Sequence, residues 1–160
     1  SQPWKFVVVR QKNAELAKLA YGANYDQVME APVTIALFTD TDLQKRARKI
    51  ARVGGVKNFT DEQLQYFMQN LPAEFARYDA QQTSDYLALN AGLVAMNLVL
   101  ALTDQGIGTN IILGFDKSKI NEVLDIEERF RPEVLITVGY AAEKVEPSYR
   151  LPVDEIIEKR

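Results

Sequence analysis

The chain has 160 residues, 47% of them hydrophobic and 26% charged, which is the mixture of one ordinary globular domain. Its formal net charge of −3 gives no overall electrostatic case for nucleic acid or an anionic membrane. Cys and His are both absent, which removes disulfides, thiol nucleophiles, Ser-His-Asp triads and ordinary zinc sites; any chemistry must rest on carboxylates, Lys, Tyr, Ser or a borrowed cofactor.

Lys5 to Val9 reads as a short strand, mostly β-branched and aromatic. Asn13 is placed to cap a helix running to about Tyr21, with Gly22 as its stop. "APVTIALFTD" (Ala31 to Asp40) is a continuous apolar run after a proline and fits a buried strand. Thr41 and Gln44 have capping-box spacing, so the helix "DLQKRARKIARV" should follow and stop at Gly54-Gly55. Thr60 and Gln63 repeat the spacing and open a helix from Asp61 to about Tyr78.

From Tyr86 to Leu102 only Asn90 and Asn97 are strongly polar. The length touches the lower limit for a membrane span, but no second hydrophobic span accompanies it. No polar stripe marks it as an amphipathic surface helix. A central helix buried on all sides is the expectation, and so apolar a helix in so small a domain calls for a second subunit to help cover it. Gly106 ends it. "TNIILGFD" is then a strand leaving through Gly114 into a short helix, Lys117 to Leu124, capped by Asp116 or Ser118, and "PEVLITVGYA" (Pro132 to Ala141) is a last buried strand. Helices and strands alternate without a regular βαβ rhythm, which favours an α+β fold, and no repeat or linker divides the chain.

Four stretches are candidate sites. "GIGTNIILG" lacks the third glycine of a dinucleotide fingerprint and runs helix to strand, the reverse of a phosphate-binding turn. Lys45, Lys49 and Arg52 share one helix face, which reads first as a solvated face, with anionic-substrate or nucleic-acid contact as alternatives. "ILGFD" does lead from strand to helix through glycine, so its backbone N–H groups could meet an anion or an electron-rich cofactor edge, or Gly114 simply makes the turn. "PSYRLP" sets Arg150 between Pro147 and Pro152, and a guanidinium on a stiff loop suits bidentate phosphate capture as well as a plain surface role.

The order of "SQPWKF", "NYDQVMEAP", a long apolar helix with "NLVLAL", "GIGTNIILGFD", "VGYA" and "SYRLP" resembles the nitroreductase family of FMN-dependent oxidoreductases over Ser1 to about Ile157. The resemblance implies one α+β domain over residues 1–160, with a mixed central sheet flanked by helices, assembled as a cytoplasmic homodimer with two FMN sites at the subunit interface. It implies electron transfer from NADH or NADPH to nitroaromatics, quinones, flavins or similar small acceptors, with no nucleic-acid or membrane partner and no metal. A flavin-binding or sensory protein without turnover is the alternative. By position, Gln2 and Pro3 match the motif lying against the flavin, and Asn24 and Gln27 the pyrimidine and ribityl side. Leu113 and Gly114 match the turn at the flavin N5 edge, and Arg150 the phosphate-binding arginine. Gln27 stands where some members have lysine, and Leu113 where some have glutamate. No side chain is assigned a catalytic role of its own. In the family a helix, an Arg-Arg-Ser-type segment and a Ser/Asn-rich stretch precede "QPW". On that comparison Ser1 stands inside a motif, and these 160 residues alone are expected to bind FMN weakly.

Overall fold

A computed structural model describes residues 2–11, 13–56, 59–142 and 148–160. Four strands form one sheet in the order β1-β2-β4-β3: β1 (Trp4–Val9), β2 (Val33–Asp40), β3 (Gly108–Ile112) and β4 (Phe130–Gly139). The helices are α1 (Asn13–Ala17), α2 (Asn24–Glu30), α3 (Leu43–Val56), α4 (Asp61–Gln65), α5 (Leu71–Phe75), α6 (Ala80–Asp104) and α7 (Ile120–Leu124). The α+β class is as expected. The sheet is not mixed among the described strands: all three pairings are antiparallel.

Side-chain alternation along the strands divides the core into two layers. Ala36, Phe38 and Leu135 face α1, α2 and α7 in a cluster with Leu16, Val28 and Ile120. Leu37 and Ile136 face the other way onto Ala91 and Ala95 of α6. A smaller cluster of Leu43, Ala47, Phe75 and Leu87 ties α3 and α5 to the start of α6.

Several local readings change. Asn13 does not cap a long helix; its Nδ2 donates to the carbonyl of Ala31 at 2.6 Å, and α1 ends at Ala17 because Ala20 leaves to bridge Phe115. Asp42, not Thr41, caps α3: its Oδ1 accepts from the Lys45 N–H at 2.9 Å, while the Thr41 hydroxyl donates to the Arg129 carbonyl. The helix continues past Gly54-Gly55 to Val56. The box at Thr60 and Gln63 forms as expected, with both reciprocal bonds made. The helix it opens is broken by a π-helical turn over Tyr66–Asn70. Pro72 follows within two residues; it cannot donate to the carbonyl four residues back and its ring crowds that carbonyl, so the backbone widens there. Lys117 to Lys119 form a turn rather than helix, in which Asp116 accepts from both the N–H and the hydroxyl of Ser118.

The expectation of a helix buried on all sides is corrected most plainly. In α6 only Leu87, Ala91 and Ala95 are fully buried, one stripe at every fourth residue. On the opposite side Leu89, Leu93, Met96 and Leu100 are 50–65% exposed. They line an open groove of about 540 Å³ that Gly92 deepens. Among the described residues α6 is the one helix long and apolar enough to cross a bilayer, yet its inner stripe is seated on the sheet.

Candidate active site

The sequence places Asn24 and Gln27 one turn apart at the start of α2, so their amides project on the same side. The end of β3 runs directly past them. Asn24 Nδ2 donates to the carbonyl of Gly114 at 3.2 Å, and the backbone N–H of Tyr21 donates to the same oxygen at 2.9 Å. With two donors on one carbonyl the plane of that peptide is fixed, while the N–H of Gly114 stands beyond the β3–β4 ladder, which ends at Ile112–Leu135. A Cβ at Gly114 would come within 2.9 Å of Asn24 Nδ2, so close approach of side chain and turn depends on glycine here. Gln27 Oε1 accepts from Asn110 Nδ2. An open groove of about 340 Å³ continues beside this pair past Glu30, Pro32, Thr137 and Tyr140. Leu113 and Tyr21 frame the turn with exposed apolar surface, 65% and 60% accessible.

Four of the seven expected residues are thus brought together: Asn24, Gln27, Leu113 and Gly114. Gln2 and Pro3 are not with them. They lead into β1, one edge of the sheet, and Gly114 follows β3, the other edge. Three strand spacings, about 14 Å, separate the two edges. Gln2 is exposed and has a left-handed backbone (φ 50°), rare without glycine, and Pro3 is buried. Arg150 is exposed in the tail, its Nη1 donating to the carbonyl of Tyr149 at 2.9 Å, with no carboxylate partner among the described residues. Pro147, expected to stiffen its loop, lies outside the described residues.

Lys45, Lys49 and Arg52 are solvent-exposed on α3. Next to the turn, Asp116 is held below the usual carboxylate range, chiefly by the hydroxyl of Ser118 and then by its N–H. Two residues of the cluster were missed in the sequence. Asn110 is one polar position inside a strand that is otherwise apolar; its signal is the alternation of Asn110 with Ile111. Tyr21 was read as the end of a helix, and its role becomes visible only through the long-range contact with Gly114.

These residues offer amide groups, a fixed backbone turn and flat apolar surface on one side, and an unpaired guanidinium in the tail. That set fits a planar heteroaromatic ring with polar edges and a phosphate tail. The model of the nitroreductase family matches residues 1–140. A Streptococcus pyogenes protein bearing the name NAD(P)H nitroreductase is 64% identical over 99% of this chain and 79% of its own length. A crystal structure of a nitroreductase family protein from Streptococcus pneumoniae superposes with a TM-score of 0.96 at 86% identity, covering 99% of this chain and 80% of the other. A nitroreductase structure from Exiguobacterium sibiricum, in complex with FMN, gives 0.90 at 29% identity over 99% and 77% of the two chains.

Proposed function

Since the chain belongs to the nitroreductase family, we propose that it is an FMN-dependent oxidoreductase taking electrons from NADH or NADPH to nitroaromatics, quinones or similar small acceptors. The observation carrying this reading is the cluster in which Asn24 and Tyr21 hold the Gly114 carbonyl beside the paired amides of Gln27 and Asn110. When bound, FMN supplies the hydride and electron chemistry that a chain without Cys or His cannot perform itself. The protein's own residues bind and orient. Asn24 and Gln27 present amides to the polar edge of the ring system. The Gly114 N–H, in the Leu113–Gly114 peptide whose carbonyl accepts the Phe115 N–H at 3.1 Å, would offer a hydrogen bond toward the ring edge. Leu113 and Tyr21 would exclude water from the face, and Arg150 would hold the phosphate.

The site belongs to a homodimer in this reading. Gln2 and Pro3 of one copy would complete the cluster of the other, which accounts for their lying at opposite sheet edges in a single chain. The exposed Leu89, Leu93, Met96 and Leu100 face of α6 supports the same assembly, because a contiguous apolar groove of this kind favours burial against a partner. An interface of the obligate class would bury more than ~2,000 Å². The cytoplasm is the compartment this reading assigns, since reduced nicotinamide nucleotides are supplied there.

The test is a spectrophotometric assay of the intact protein with added FMN. With FMN added only to fill the site, NADPH or NADH should be consumed steadily only when a nitroaromatic, a quinone or an excess of free flavin is supplied as acceptor. Binding of FMN with no acceptor-dependent consumption across that panel would favour a flavin-binding protein without turnover.

A further inference from the structure

Asp40 closes β2 and is 2% exposed, so its carboxylate must be paired within the protein. Arg129 supplies that pairing, with Nη1 3.0 and 2.8 Å from the two carboxylate oxygens. Oδ1 also accepts the Asp42 N–H at 3.1 Å. One guanidinium neutralises one carboxylate, yet a second is present: Arg46 Nε stands 2.9 Å from Oδ2, an ion pair without the alignment of a hydrogen bond. The second arginine has a further contact. Its Nη2 donates to the backbone carbonyl of Trp4 at 3.3 Å, across 42 residues of sequence. The preceding carbonyl, that of Pro3, accepts the N–H of Asp40 at 2.6 Å. Two successive carbonyls at the start of an edge strand are therefore held by the Asp40 N–H and by the arginine ion-paired with its carboxylate. An edge strand has one neighbour only, and its first residues would otherwise fray. The residue just before this clamp is Gln2, whose φ of 50° is held only if its surroundings determine it.

We infer that Arg46 is a positioning residue: ion-paired with Asp40, it holds the Trp4 carbonyl beside the Pro3 carbonyl that the Asp40 N–H holds, so that Gln2 and Pro3 are presented to the flavin site in the correct conformation. The inference rests on the reading above that Gln2 and Pro3 lie against the flavin. Arg129 is the natural control, because it shares Asp40 with Arg46 but makes no hydrogen bond or ion pair with β1 among the described residues.

The experiment compares Arg46→Met, Arg46→Lys and Arg129→Met in the intact protein by hydrogen exchange over residues 2–9, FMN titration, visible circular dichroism of the bound flavin and thermal melting. Arg46→Met should raise exchange in the β1 segment by about tenfold, weaken FMN binding by about three- to tenfold and alter the flavin dichroism. Arg46→Lys keeps a cation beside Asp40 without the fork that reaches Trp4, so it should restore the melting temperature more fully than the exchange or the flavin signals. Arg129→Met should lower the melting temperature while leaving β1 exchange and flavin dichroism near wild type. Equal β1 exchange in Arg46→Met and Arg129→Met would overturn the clamp. Faster exchange with unchanged flavin affinity and dichroism would overturn its link to the site. If the wild type binds no FMN, the flavin reading fails and this link with it, while the exchange contrast still decides the clamp.

Discussion

At the level of single residues, the proposed flavin site makes its sharpest demands at Gly114 and Arg150. At Gly114 the constraint is space: a methyl group would meet the Asn24 amide at 2.9 Å and push it off the carbonyl it binds. Gly114→Ala should therefore weaken FMN binding by about two- to tenfold, the equivalent of one neutral hydrogen bond of ~0.5–1.5 kcal/mol, with little change in melting temperature. A flavin titration paired with a thermal melt checks this. At Arg150 the constraint is charge. Losing a charge-assisted pair costs roughly 1.5–3 kcal/mol, so Arg150→Ala should weaken FMN binding ~10- to 100-fold. Arg150→Lys should recover only part, because an ammonium cannot form the fork that a phosphate accepts. Equal FMN affinity in wild type and Arg150→Ala would remove the arginine from the site. Gln27 and Asn110 show what residue-level reading lacks. Gln27 was legible as a site position through its place in "NYDQ", whereas its hydrogen bond to Asn110 joins residues 83 apart and leaves no local trace.

Among the elements, the strands were legible because continuous apolar runs and flanking Gly and Pro mark them; β2 and β3 lie where expected within a few residues. The start of β4 was not. Phe130 and Arg131 precede Pro132, and pairing continues through it because the ladder is irregular there: Phe38 faces Pro132 while Leu37 faces Val134. Glu133, the extra residue, is buried and accepts from both Thr39 and Arg131. Helix starts were read from capping spacing, which held at Thr60 and failed at Thr41, where the Arg129 carbonyl took the hydroxyl. The cap that anchors the longest helix went unread. Asp79 accepts the Gln82 N–H at 2.7 Å and Gln82 reaches back to the Asp79 N–H at 3.0 Å. Removing this box with Asp79→Ala should cost about 1 kcal/mol. In a domain of this size that lowers the melting temperature by about 2–4 °C, measurable by calorimetry with no change in flavin affinity.

For the whole molecule, the informative failure is α6. Its composition is apolar all round, and a helix of that kind is buried somewhere. Composition and chain length already call for a second subunit to help cover it, but they do not say which of its faces is left to that subunit. The structure gives one side to Leu37 and Ile136 and leaves Leu89, Leu93, Met96 and Leu100 bare. The same division runs through the site, with Asn24, Gln27 and Gly114 at one edge of the sheet and Gln2 and Pro3 at the other. Both halves become complete if two copies meet across α6, so flavin binding and assembly should be thermodynamically linked, each strengthening the other. Native mass spectrometry of the intact protein at saturating FMN tests this most directly. The account predicts a species of two chains carrying two FMN, with flavin lost when the pair dissociates. A single chain that retains FMN, or a pair that takes up none, would contradict it.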